Sequence, residues 1–208
     1  MQNMENRPDF SEYLVHFTKD NQLCSISQKN PTLAFQNMSA KERLKNILEK
    51  QEIFTSLIPW INKKAVCFTE CVWGSLLAHS FNYSQYGIGF TKEFIFNNGG
   101  NPVFYVRPDM YESQQWNKVK TFLTPFQPTY SKKRFLSKKV VDYTHEREWR
   151  VPQNLKFNYS NIEFIIIKSY SDMDSFKDVV TNIGVEKFIV MENYQHIEKL
   201  WPTHKIIV

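Results

Sequence analysis

The stretch Tyr143-Thr144-His145-Glu146-Arg147-Glu148-Trp149-Arg150-Val151 concentrates acid, base and aromatic side chains in one short run. In an extended strand side chains alternate between faces, so Thr144, Glu146, Glu148 and Arg150 line one side while Tyr143, Arg147 and Trp149 line the other. Glu146 and Glu148 then share a face about 7 Å apart. Two carboxylates at that spacing repel unless cations or a ligand compensate them, and Arg147 and Arg150 are the cations at hand. The same pattern also fits a solvated edge strand with salt bridges. Near the other end of the chain, Tyr13-Leu14-Val15-His16-Phe17-Thr18-Lys19 sets one imidazole in an apolar strand. A histidine so placed serves either as a hydrogen-bonded core residue or as a ligand contact.

The segment ahead of the acidic run bears on the ligand. Lys132, Lys133, Arg134, Lys138 and Lys139 fall within eight positions, which fits either a solvated face or a phosphate-contacting rim beside a site. A net charge of +5 and a pI near 9.0 permit a nucleic-acid partner without requiring one. Aromatic residues make up 15% of the chain, and their rings offer stacking surfaces for a flat ligand as well as core. Neither a Gly-x-Gly-x-x-Gly nor a Gly-x-x-x-x-Gly-Lys run occurs, so a bound nucleotide is held by other means. Tyr86-Gly87-Ile88-Gly89-Phe90 reads as part of a strand from Tyr83 whose glycines admit a ligand or a neighbouring backbone, or mark a bulge. Cys24, Cys67 and Cys71 cannot form an even disulfide set, and Cys67, Cys71 and His79 are poorly spaced for zinc. No metal site is read, and a reducing, cytoplasmic setting is expected.

The elements that must position these residues are legible in outline. At 208 residues the chain is long enough for one domain with a sizeable core, after a loose leader over residues 1–10. No apolar run approaches the roughly 18 residues of a membrane helix, so no membrane partner is expected. Ser39-Ala40-Lys41-Glu42 fits a capping box, and Leu44, Ile47 and Leu48 repeat on one face of a helix ending near Glu52. Strands are expected at Tyr13–Phe17, Ala65–Thr69, Tyr83–Phe90, Asn101–Val106 and Val141–Val151. Helices are expected at Trp73–His79, at Thr91–Phe96 before the Asn98-Gly99-Gly100 turn, and at Tyr111–Phe122, with a loop over 124–131. The last quarter reads as a strand at Ile162–Lys168, an amphipathic helix at Asp172–Ile183 ended by Gly184, and a strand at Lys187–Met191. With short joins, that order predicts a right-handed parallel crossover over 162–208. A short helix at His196–Trp201 and a strand at Lys205–Val208 complete a single α+β domain spanning 1–208.

A histidine in the first strand, a glycine-flanked tyrosine in a middle strand and a glutamate in a late strand together resemble the His-Tyr-Glu arrangement of the ADP-ribosyltransferase fold. That fold includes the DarT toxins, which His16-Phe17-Thr18 and Leu44-Lys45-Asn46-Ile47-Leu48 also resemble. More closely, Tyr13–Thr18, Cys67-Phe68-Thr69-Glu70, Tyr86–Phe90, Gly99-Gly100-Asn101-Pro102-Val103 and Glu146–Arg150 look like the AbiGi family of bacterial abortive-infection proteins. This likeness covers most of the first 152 residues. It implies phage defence in a toxin–antitoxin setting. The remoter likeness implies an ADP-ribosyltransferase-like split mixed sheet with flanking helices and a C-terminal βαβ unit, with NAD as co-substrate.

From the transferase resemblance each residue receives a task. His16 and Thr18, with Phe17 between them, would bind NAD; Tyr83 or Tyr86 would stack on the nicotinamide. Glu148 would hold the nicotinamide ribose and stabilise positive charge as the glycosidic bond opens, while Glu146 would orient or deprotonate the acceptor. Arg150 and the lysine-rich segment would contact nucleic acid, RNA more than DNA. The reading is therefore an NAD-dependent toxin that modifies nucleic acid. Its alternative is a non-catalytic antitoxin that binds a separate toxin. Convergence of His16, a tyrosine and Glu148 on one groove favours the first; Glu148 salt-bridged and packed away from any pocket favours the second.

Overall fold

The computed structural model describes residues 10–20, 38–70, 83–129 and 140–200. Its centre is a mixed sheet of eight strands. They run in the order β12 (Phe188–Val190), β11 (Phe164–Ile167), β5 (Gly87–Thr91), β1 (Tyr13–Phe17), β4 (Lys63–Glu70), β9 (Glu148–Val151) and β6 (Asn101–Pro102), with β3 (Ser56–Ile58) also paired to β4. β11 and β12 are parallel, and the other pairings in this sheet are antiparallel. The expected α+β class and the parallel C-terminal strand–helix–strand unit are both present. Two small ladders stand apart: β2 (Glu52–Ile53) with β10 (Leu155–Lys156), and β7 (Phe104–Val106) with β8 (Leu123–Pro125).

The ladder registers define two faces. Leu14 lies opposite Phe90, His16 opposite Ile88, and Ile88 opposite Ile165. Cross-strand partners share a face, so these residues and Phe68 form one apolar surface. On it pack Leu44 and Leu48 of α1 (Ala40–Lys50), Ile95 of α2 (Lys92–Asn97) and Phe176. The opposite face carries Val15 and Ile166 at one end. At its other end Ala65 and Cys67 meet Ile58, Ile61, Val106 and Leu123. Burial of both faces explains the unbroken Phe-Ile-Ile-Ile of β11.

Local chemistry accounts for the boundaries. Ser39 caps α1: its hydroxyl accepts from the Glu42 amide, and the Glu42 carboxylate accepts from the Ser39 amide. Gln51 then ends the helix in the left-handed conformation, φ 50°. Gly89 is required by packing, because a Cβ there would lie 2.5 Å from the Phe164 ring. The close approach that this glycine permits is made by a side chain of the same sheet.

Several sequence expectations are corrected. The strand expected over Val141–Val151 is broken: Thr144–Glu146 is a 3-10 turn, Arg147 is left-handed at φ 43°, and only Glu148–Val151 is extended. Glu146 and Glu148 therefore do not alternate along one strand face. The Tyr111–Phe122 helix is replaced by α3 (Pro108–Glu112) and a 3-10 turn at Lys120–Phe122, because the Trp116 indole folds back to donate to the Tyr111 carbonyl. The strand expected from Tyr83 begins only at Gly87, and that expected over Asn101–Val106 divides into β6 and β7. The loop expected at 124–131 begins inside β8. The Asp172–Ile183 helix divides into a 3-10 segment, Tyr170–Phe176, and α4 (Lys177–Ile183). The last helix, α5 (Met191–Leu200), starts five residues before the expected His196. The leader through residue 9, the Trp73–His79 helix, the terminal strand and the segment bearing Lys132, Lys133, Arg134, Lys138 and Lys139 lie outside the described residues.

Candidate functional site

The strand register decides which candidates meet. Val15 pairs with Thr69, and Thr69 with Glu148, so these three share one face. His16, the next residue along β1, projects from the other, where its ring meets Phe68 edge-on at 5.8 Å. Thus His16 and Glu148 do not project from the same side of the sheet. The β1–β4 ladder stops at Val15, whereas β1 and β5 stay paired to Phe17. Where β1 and β4 part, the His16 Nδ1 lies 2.9 Å from the Cys67 carbonyl oxygen. Nδ1–H is placed to donate to that oxygen, and burial holds the ring's pKa below the ordinary histidine value against the opposing pull of this bond.

Thr18 and Tyr86 follow His16 as structural ties. The buried Thr18 hydroxyl donates to the carbonyls of Ala40 (2.8 Å) and Tyr86 (3.1 Å), joining β1, α1 and the entry to β5. The Tyr86 hydroxyl donates to Asp172 Oδ2 at 3.0 Å, and Lys41 Nζ reaches Asp172 Oδ1 at 2.9 Å. Burial opposes ionisation of Asp172, but the bonds from Lys41 and Tyr86 outweigh it and hold the carboxyl below its ordinary value.

Phe17, Tyr83, Glu146, Glu148 and Arg150 gather instead. Phe17 and Tyr83 stack at 5.9 Å with an interplanar angle of 11°, and Lys19 Nζ stands 4.2 Å from the Tyr83 ring centre. Burial raises the Tyr83 pKa, reinforced by a hydrogen bond to the Glu146 carboxylate and by the charge of Glu148.

Glu148 and Arg150, adjacent on one face of β9, form a closed pair. Arg150 Nε donates to Glu148 Oε1 at 2.7 Å and its NH2 to Oε2 at 2.8 Å. NH1 donates to the Thr121 and Leu123 carbonyls, both at 2.8 Å, and NH2 also donates to Thr124 Oγ1 at 2.7 Å. All five guanidinium donors are thereby used. Arg150 is fully buried and Glu148 is 9% exposed. Burial and the neighbouring Glu148 carboxylate push the Cys67 thiol pKa up.

The polar groups expected to hold NAD are thus engaged within the protein: Thr18 on main-chain carbonyls, Tyr86 on Asp172, Glu148 on Arg150. Thr121, Leu123 and Thr124, which complete the Arg150 shell, went unseen in the sequence because two of them act through backbone carbonyls. Asp172 did leave a trace, since Ser169-x-x-Asp172 has the spacing of a helix cap and forms one.

With this geometry in view, comparisons with known proteins bear on the chain. Residues 34–125 match the family described as "Putative abortive phage resistance protein AbiGi, antitoxin". The abortive-infection likeness read from the motifs is borne out across Cys67–Glu70, Tyr86–Phe90 and Gly99–Val103; His16 and Glu148 lie outside the matched residues. No curated protein matches. Among solved structures, a weak likeness is to Thermus sp. 2.9 DarT in complex with carba-NAD+, 10% identical, with a TM-score of 0.36 over 83% of this chain and 90% of that one. Among the described residues no helix is long and apolar enough to cross a membrane.

Proposed function

We propose that this chain is the antitoxin of an abortive phage-resistance pair and that it acts by binding a separate toxin. The observation that carries the reading is the state of Glu148. Both carboxylate oxygens accept from a buried arginine whose remaining donors are satisfied by Thr121, Leu123 and Thr124. An acidic group that must bind a ribose and stabilise a developing cation needs accessible oxygens, whereas a closed pair of this kind fixes neighbouring elements. The description of the family matched at residues 34–125 supports the same role. Co-expression with the co-encoded toxin tests it: the wild-type chain is expected to restore growth and to co-purify with the toxin. Failure of both refutes the reading.

One observation favours a second reading, an NAD-dependent ADP-ribosyltransferase acting on nucleic acid, RNA more than DNA. Phe17 and Tyr83 form a stacked aromatic pair beside Glu146, on the side of the sheet that also carries Glu148. Incubation with labelled NAD and RNA, DNA or protein separates the readings. Label transfer by the wild type that is lost in Glu148→Gln, with folding intact, supports the transferase. No transfer, or equal transfer by the variant, removes it.

A further inference from the structure

The Glu148–Arg150 pair supports a second feature. Leu123, whose carbonyl accepts from Arg150, also accepts from the Trp60 indole at 3.3 Å, and the Trp60 ring lies 5.6 Å from the guanidinium. Trp60 is 49% exposed yet held at two points. Beside it opens a depression of about 120 Å³, walled chiefly by Ile61, Val106, Pro108, Tyr111 and Leu123. A cavity of about 150 Å³ takes one benzene ring, so this one has room for a single side chain and none for a dinucleotide.

The surroundings are basic. Lys63, paired with Ile58, emerges on the face of β4 that carries the depression, and Lys118 and Lys120 precede the Leu123 wall in the chain. Among the described residues none of the three forms an ion pair. Arg107 is neutralised by Asp109, and the acidic group on the lining is Glu112. Three lysines against one glutamate set the sign of a complementary partner.

We infer that the Trp60 depression is a docking site for an acidic polypeptide segment that inserts one aliphatic or aromatic anchor residue; resting on the antitoxin reading, we assign that segment to the toxin. A half-exposed tryptophan already fixed in place loses little freedom on binding, and tryptophans of this kind carry a disproportionate share of interface energy. The lysines steer the acidic flanks, and Arg150 braces the wall from behind without touching the partner.

Two arms test this. In the first, the co-encoded toxin is titrated against wild type, Trp60→Ala and Lys63→Glu/Lys118→Glu; each variant is expected to bind at least about tenfold more weakly. The charge reversal, on exposed residues, is also expected to flatten the salt dependence. In the second, a short synthetic peptide of acidic residues around one leucine is titrated while the Trp60 indole resonance is followed. That resonance is expected to shift, and to stay in place for the same peptide with alanine at the centre. Toxin binding that survives both variants overturns the inference and leaves the antitoxin reading intact. Peptide binding at Trp60 by a chain that ignores the toxin refutes the antitoxin reading, and with it the assignment of the segment to the toxin, while the acidic docking site stands. An unmoved indole resonance together with unimpaired variants overturns the site outright.

Discussion

Glu148→Gln separates the two functional readings without any knowledge of substrate. The substitution keeps the side-chain shape but removes the charge from a pair in which Arg150 is fully buried and Glu148 nearly so. Two charge-assisted bonds, at 2.7 and 2.8 Å, become at best one bond to a neutral acceptor, and the guanidinium stays buried with no counter-charge. Breaking a buried ion pair from one side costs about 3 to 5 kcal/mol. In a chain of this size each kcal/mol lowers the melting temperature by roughly 2 to 4 °C, so the expected fall is roughly 6 to 20 °C. Thermal unfolding followed by circular dichroism measures it. The double variant Glu148→Leu/Arg150→Met is the control: replacing both charges with apolar groups is expected to recover most of the loss, because no unpaired charge remains. A Glu148→Gln protein that melts within about 2 °C of wild type refutes the reasoning. It would mean that the carboxylate is held for a ligand rather than for the fold.

Three further expectations follow. Tyr86→Phe removes a bond to the charged Asp172 and should cost about 1.5 to 3 kcal/mol in a urea titration; an unchanged midpoint argues against the tie between β5 and the C-terminal part. Gly89→Ala should cost about 1 to 3 kcal/mol, since the added methyl meets the Phe164 ring, and Gly89→Ala/Phe164→Leu should recover part of it. The stability of the protein should also depend on pH in two steps. His16 is held below 6.5, so the unfolded chain binds its proton more readily and stability falls as pH drops below that value; Asp172, held below 3.8, adds a second loss under pH 3.8. Urea midpoints that stay flat between neutral pH and about pH 5 contradict the His16 assignment.

Much of the fold was legible because its signals are local. The Ser39–Glu42 box, the apolar run of β11 and the strand around His16 each carry their cause within a few residues. The acidic run was misread for the opposite reason. Its alternating charges fit a period of two, and nothing in a Glu-Arg-Glu sequence marks Arg147 for positive φ. Arg147 there caps the 3-10 turn, its amide donating to the Thr144 carbonyl while its own carbonyl accepts from the Glu70 amide. Residues 113–117, Ser-Gln-Gln-Trp-Asn, lack the apolar spacing of a helix, and the indole of Trp116 decides their path. The partners of Arg150 were hidden because carbonyl oxygens have no letter in a sequence. The face on which a side chain emerges was equally hidden: His16 and Glu148 separate only once the β1–β4–β9 register is known.

The sheet order has a consequence for how the chain is made. β5 has β1 on one side and β11 on the other, so its second partner ends at Ile167, far downstream. β4 waits in the same way for β9. A nascent chain halted before Ile167 carries β5 with a bare apolar edge, the kind of edge that pairs with other chains or is taken by proteases. Closure by late strands makes folding depend on the last third of translation, so any interruption of protein synthesis leaves completed copies folded and removes the supply of new ones.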